Sequence, residues 1–243
     1  MILIGTSGWA YDHWKDVLYR QDAAQDELLS TYADAFRTVE INNTFYQLPS
    51  EETVAGWRRQ APDRFVFAVK ANRYITHMKN LLEPEEPVGR MMERVDGLGE
   101  KLGPVLFQLP PGWHVNAGRL ADFVRILPGD RRYAFEFRHP SWYTGPVYDV
   151  LEESGSAFCI HDHRDAPSPR RVTADFVYLR FHGRRGGYEG KYPSADLVDW
   201  ADVITGWRGE GLDVYGYFNN DLRGYAVENA RKLFELLDQR RDE

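Results

Sequence analysis

The chain has 243 residues, 43% of them hydrophobic and 14% aromatic, and a formal charge of −7 at pH 7. That length supplies one large α/β core or two smaller ones, and the acidic balance argues against gripping duplex nucleic acid through a general basic field. No window approaches eighteen consecutive apolar residues and the start lacks a basic-then-apolar leader, so a cytoplasmic protein with no membrane partner is expected. The single cysteine, Cys159, excludes an internal disulfide and lies in the apolar run AFCI, where it reads as a small core residue.

Short β-rich runs alternate along the chain with stretches of helical spacing. The first strand is expected at ILIGTS from Ile2. A helix from Asp26 sets Leu28, Leu29, Tyr32 and Phe36 on one side, and the second strand follows at TVEINNT from Thr38. SEETVAGWRR opens with Ser50 as an N-cap and acidic residues in its first turn, where the helix dipole favours them. The third strand is FVFAVKAN from Phe65. The next helix begins at Gly89 and is expected to end on Gly103 as a C-cap. PVLFQLP from Pro104 and YAFEFRH from Tyr133 are the fourth and fifth strands, followed by the helices GRLADFVRIL and VYDVLEES. The sixth strand, AFCIHD from Ala157, leads into HRDAPSPRRVTAD, which has two prolines and no apolar period and reads as a loop. FVYLRFHG from Phe176 and VYGYFNN from Val214 complete the strands, each followed by a helix. Strand–helix alternation implies parallel strands with right-handed crossovers. Eight such units predict an α/β fold, a single (β/α)8 TIM-type barrel over 1–243, with the helix after strand 6 replaced by a loop. An open doubly wound sheet is the rival, but GTSGWAYDHW after the first strand carries no G-x-G-x-x-G.

In a barrel, one parity of each strand packs under the helices and the other fills the interior. The apolar parity sends Glu40 and Asn42 inward from the second strand, Lys70 from the third, Gln108 from the fourth, and Glu136 with Arg138 from the fifth. The seventh sends in Tyr178, Arg180 and His182, the eighth Tyr215, Tyr217 and Asn219. The sixth sends in either His161 or Asp162. The adjoining loops hold Trp9, Tyr11, Trp14, Tyr46, His77, His139 and Trp142. Charges in a barrel interior are costly unless paired. Three cations, Lys70, Arg138 and Arg180, face two carboxylates, Glu40 and Glu136, a surplus that favours an anionic ligand and that an inward Asp162 would cancel. The competing account is structural: Lys70–Glu40 and an arginine–Glu136 pair closing the barrel.

The blocks IGTSGWAYDHW, YADAFRTVEINNTFYQLPS, FVFAVKANRYITH, GPVLFQLPP, YAFEFRHPSW, VYLRFHG and YGYFNND resemble, in order, those of the domain of unknown function 72 (YecE-like) family, from the first residues to about Asn229. The resemblance implies a TIM barrel and brings no established activity. It implies a barrel broadly similar to those of sugar-phosphate isomerases and of metal-dependent abasic-site endonucleases, an analogy of fold alone. The loop after His161 looks variable, so the resemblance lends no support to His163 and Asp165 as site residues.

The leading expectation is a protein that binds or processes an anionic, phosphate-bearing small molecule, as a hydrolase or isomerase if it is an enzyme. Lys70, Arg138 and Arg180 would hold the anion, with Asn42, Gln108, Asn219, Trp9 and Tyr46 completing the ligand contacts. Glu40 or Glu136 would be the general base and His182 or His77 the proton shuttle. Backbone N–H groups from Gly5 to Gly8 offer further anion donors, or form only a tight turn. A second expectation is metal-assisted phosphoester hydrolysis on nucleic acid, using His161 to His163 with Glu136, His139 and His182. No H-x-x-x-H or H-E-x-x-H spacing supports it, and no metal ligand or cofactor is assigned. Glycoside hydrolysis ranks low, because the cations would depress both carboxylates where a general acid is needed. The last expectation is a partner-binding module presenting the aromatics of GWAYDHW and HPSWY as an exposed patch, which could equally be a lid over the barrel mouth.

Overall fold

The computed structural model describes residues 1–163, 167–183 and 189–240. Eight strands form one parallel sheet in the order β1-β8-β7-β6-β5-β4-β3-β2. They are β1 (Ile2–Thr6), β2 (Thr38–Ile41), β3 (Val66–Lys70), β4 (Leu102–Gln108), β5 (Tyr133–Glu136), β6 (Ala157–His161), β7 (Phe176–Phe181) and β8 (Asp213–Phe218). The helices are α1 (Leu28–Ala35), α2 (Asn43–Tyr46), α3 (Glu51–Gln60), α4 (Glu85–Val95), α5 (Ala117–Arg125), α6 (Gly145–Glu153), α7 (Ser194–Gly209) and α8 (Tyr225–Gln239). The alternation read from the sequence is therefore the alternation of the fold. Ser50 caps α3 as expected, its side chain accepting from Thr53 N.

The barrel closes where β1 meets β2. A parallel bridge joins Ser7 to Glu40, and Gly8 N donates to Glu40 O at 2.8 Å. The approach is close enough that a Cβ on Gly5 would lie 2.2 Å from Thr38 O, so a side chain cannot fit there. The Tyr32 hydroxyl bridges the same seam, accepting from Thr6 N and donating to Thr38 O, both at 3.0 Å.

Strand parity sorts the side chains into two cores. Val39, Ile41, Phe67, Val69, Phe107, Phe135, Leu179 and Phe218 join the helices in the outer one. The inner one holds Leu3, Ala68, Leu106, Ala134, Ala157, Cys159, Phe176, Tyr178, Tyr215 and Tyr217. Small residues on β3, β5 and β6 leave room for the tyrosines of β7 and β8, so the lower barrel is filled rather than hollow.

Two local expectations are corrected. Gly103 does not cap a helix: α4 ends at Val95, a 3-10 turn spans Asp96–Lys101, and Gly103 lies inside β4. The predicted aromatic patch is only partly exposed: Trp14 and Trp142 are fully buried, and Trp9, Tyr11 and Tyr143 are half-buried. Trp14 packs against Tyr11, Tyr19 and Tyr32, and Trp142 stacks on Phe137. Among the described residues no helix lies between β6 and β7, as the prolines and absent periodicity predict. The segment instead runs back along β6: Ser168 bonds the backbone of His161, and Thr173 bonds Phe158 N and Ser156 O.

Candidate functional site at the barrel mouth

The inward polar residues converge at the C-terminal ends of the strands, in two tiers. In the lower tier Arg180 lies between two buried carboxylates. Its Nη2 donates to Glu40 Oε1 at 2.7 Å and its Nη1 to Glu136 Oε2 at 2.6 Å. Glu40 also accepts from Ser7 Oγ and Tyr178 OH, each at 2.7 Å. Glu136 accepts from Gln108 Nε2 at 2.9 Å and forms a second ion pair with Arg138 Nε. Arg138 Nη2 donates to His182 Nε2 at 3.1 Å. Burial by itself would raise Glu136, but Arg138 and Arg180 outweigh it and hold the carboxyl well below its usual range. Burial keeps His182 neutral. Two guanidinium groups thus balance two carboxylates.

The sixth strand resolves in favour of His161, which pairs in register with Arg180 and is buried. Asp162 leaves the interior charge count unchanged. Its carboxylate accepts from His182 N at 2.8 Å and from the Tyr192 hydroxyl, and burial raises its pKa.

Lys70 is the surplus cation, and the expected Lys70–Glu40 pair does not form. Glu40 is occupied by Arg180, Ser7 and Tyr178, while Lys70 Nζ lies 4.1 Å from the centre of the Phe45 ring. Among the described residues no carboxylate forms an ion pair with it. Burial, with Arg180 and Arg138 as cationic neighbours, lowers Lys70 to about 7. The Phe45 face favours the ammonium and works the other way. His77 packs edge-on against the same ring at 5.0 Å, and burial followed by the charge of Lys70 lowers it to about 4.

Above this tier opens a cavity of about 540 Å³, lined among others by Tyr11, Asn42, Tyr46, Lys70, Arg180 and Asn219. Tyr46 is 68% exposed at its rim. Of the other predicted contacts, Gln108 is committed to Glu136 below, and Trp9 lies outside the lining, packed against Trp57. The predicted anion donors after β1 are consumed by the fold: Ser7 N donates to Phe218 O and Gly8 N to Glu40 O. Sequence reading missed His13 and Asp221, which also line the cavity and pair at 2.7 Å. Asp221 directly follows Asn219 and Asn220 at the end of β8, and that position was the available signal.

The donor atoms of Glu136, His161 and His182 lie within 4.8 Å of one another. His139 is not part of this group and stacks on His114 instead. The ring of His163 lies 5.6 Å from that of His182, and Asp165 falls outside the described residues. The trio is poorly suited to a resident metal. Both Glu136 oxygens already accept charged or amide donors, and His182 Nε2 accepts from Arg138. His161 Nε2 contacts Phe137 O at 2.9 Å; a carbonyl can only accept, so this nitrogen carries the proton. A cation placed there would meet two guanidinium groups.

A parallel barrel with a charged cluster at its strand ends and an open cavity above it defines this as a TIM-type barrel with a polar site at its C-terminal mouth. Residues 3–243 match the family model described as "Protein of unknown function DUF72", and the chain belongs to that family. It is 29% identical to the UPF0759 protein YunF of Bacillus subtilis (strain 168), over 98% of this chain and 95% of that one. It is 32% identical to the UPF0759 protein YecE of Escherichia coli (strain K12), over 59% of this chain and 50% of that one. The crystal structure of a DUF72 family protein from Thermotoga maritima MSB8 superposes with a TM-score of 0.87 at 28% identity, covering 98% and 99% of the two chains. One from Enterococcus faecalis V583, at 23% identity, TM-score 0.83 and coverage of 98% and 96%, shares the fold. The resemblance drawn from the sequence blocks is borne out, as is the barrel it implied.

Proposed function

We propose that this protein binds or processes a small anionic, phosphate-bearing ligand in the cavity at the barrel mouth, with Lys70 as the cation that meets it. The observation that carries this reading is the charge pattern. Arg180 and Arg138 are matched by Glu40 and Glu136, whereas Lys70 reaches the cavity with an aromatic face and, among the described residues, no ion pair. An anion beside Lys70 would restore the balance that burial disturbs. Asn42 adds a second support. It lines the same cavity, and its buried Oδ1 has no hydrogen-bond partner among the described residues. Buried acceptors of this kind are rare without a donor, and a turn of the Asn42 side chain toward the cavity would present it to a ligand hydroxyl. The volume suits a small molecule, and the net charge disfavours duplex nucleic acid.

Thermal unfolding with inorganic phosphate, phosphate esters, neutral sugars and short oligonucleotides tests the proposal, since whatever binds only the native state raises the midpoint. Phosphate esters are expected to stabilise the wild type, more strongly below pH 7 than above it, and to lose that effect in Lys70→Met. Stabilisation by neutral sugars alone, or an undiminished response in Lys70→Met, would refute it.

A further inference from the structure

We propose that Lys70 is a carbonyl-capturing amine, and that the barrel-mouth cavity accepts a small anionic aldehyde or ketone whose carbonyl carbon joins Lys70 Nζ as a Schiff base. The inference rests on the anionic-ligand reading and narrows its substrate class. An amine suited to this chemistry must reach a cavity, be free of a carboxylate clamp, and shed its proton near neutral pH. Lys70 meets the first two conditions by position. It ends β3, lines the cavity, and forms no ion pair among the described residues. The third follows from its neighbours. Arg180 from β7 and Arg138 just past the end of β5 oppose its charge, Glu40 and Glu136 support it, and burial outweighs the support, leaving a value of about 7. The other lysines are differently placed. Lys79, Lys191 and Lys232 pair with carboxylates, and Lys101 donates to the carbonyls of Arg58 and Ala61. Lys15 is exposed.

The step balances without an outside oxidant or reductant. The ε-ammonium first yields a proton to a base, and the free amine attacks the carbonyl carbon to form the C–N bond. The carbonyl oxygen then departs as water, carrying the two protons that the nitrogen has given up. The product is an iminium ion with the single positive charge that the ammonium began with. The anionic group of the ligand therefore faces a positive nitrogen both before the proton is lost and after the iminium forms. His77 is the nearby group for moving these protons. It is neutral at pH 7, its Nδ1 is engaged with Thr76 Oγ1 at 2.9 Å, and its ring contacts the same Phe45 ring that Lys70 lies over.

The test is reductive trapping. The full-length protein is incubated near pH 7.5 with dihydroxyacetone phosphate or with dihydroxyacetone, reduced with sodium borohydride, and mapped by peptide mass spectrometry. The expected result is an adduct on Lys70 formed at least about tenfold faster than on Lys15 or Lys232, because an ordinary lysine is almost wholly protonated at that pH. Lys70→Arg should give no adduct at this position. Stabilisation of the wild type by phosphate esters without preferential labelling of Lys70 would overturn the carbonyl inference and leave the anion reading standing. Equal trapping of dihydroxyacetone and its phosphate would support Lys70 as the amine while removing the anion reading. Competitive acylation of the unaltered protein gives an independent check: a Lys70 no more reactive at pH 7.5 than the exposed lysines would also overturn it.

Discussion

At the scale of single residues, Arg180 shows how ionised groups are kept inside a barrel. Removing a charge from water costs several kcal/mol, and the cost is offset only when partners complete its hydrogen bonds. Arg180, 1% exposed, has a carboxylate on each side, and Glu40 has Ser7 and Tyr178 as well. Arg180→Met would leave two buried carboxylates without the cation between them. A loss of about 3–5 kcal/mol is expected from urea unfolding, with much of it recovered when Glu40→Gln and Glu136→Gln are added. A loss below about 1 kcal/mol would mean that the arginine adds little beyond its packing volume. The inward parity of these residues was legible in the sequence, since alternation on β2, β5 and β7 places them on one side. Their pairing was not. Lys70 and Glu40 stand on adjacent strands, yet Glu40 is taken by Arg180 from across the barrel, because the longer guanidinium spans the interior and meets two carboxylates at once.

At the scale of elements, the seam between β1 and β2 carries a single parallel bridge, supported by the Tyr32 hydroxyl, by Gly8 N donating to Glu40 O and by Ser7 Oγ donating to Glu40. Gly5 permits the approach. Gly5→Ala would drive a methyl into Thr38 O, with only 2.2 Å between the heavy atoms, and the strands would have to part. A loss of about 1–3 kcal/mol is expected, together with faster amide exchange at Gly8, whose N–H crosses the seam; unchanged exchange would show that the seam yields without opening. Nothing local in ILIGTS marks this position, since the clash is with a residue more than thirty positions away in the chain. The segment after β6 behaves oppositely. Its lack of helical period predicted a loop, and only the folded chain shows Ser168 and Thr173 bonding the β6 backbone.

At the scale of the whole molecule, the buried histidines, Glu136 and Lys70 act in one direction, and the raised carboxyls of Asp162 and Asp221 work against them. His161 and His77 have folded values of about 4, below the ordinary histidine value of about 6.5, and Glu136 lies below the usual carboxylate range. The unfolded chain therefore binds more protons than the folded one as pH falls from about 6.5 to 4, and stability must decline across that window. Lys70 extends the trend, because its folded value of about 7 against an ordinary 10.4 imposes a penalty that grows as pH falls from about 10 to 7. Urea midpoints should thus rise from pH 5 to pH 9 as far as these groups govern them. Saturating phosphate ester should flatten the upper part of that rise, by restoring a counter-charge to Lys70. A midpoint that peaks near pH 5 would contradict the assigned directions.

The sequence by itself determined the barrel and the direction of its polar side chains, because periods of two and 3.6 residues are local properties that survive without knowledge of contacts. Among the inward strand residues it counted three cations against two carboxylates, with the direction of Asp162 left open. Only the tertiary structure decided which cation was the surplus, since that depends on distances between strands far apart in the chain. It buried Trp14 and Trp142, spent the amides after β1 on closing the barrel, and brought Phe45 from α2 beneath Lys70 in place of a carboxylate. Coulombic and hydrogen-bond energies fall steeply with separation, and separation is what a linear sequence does not carry.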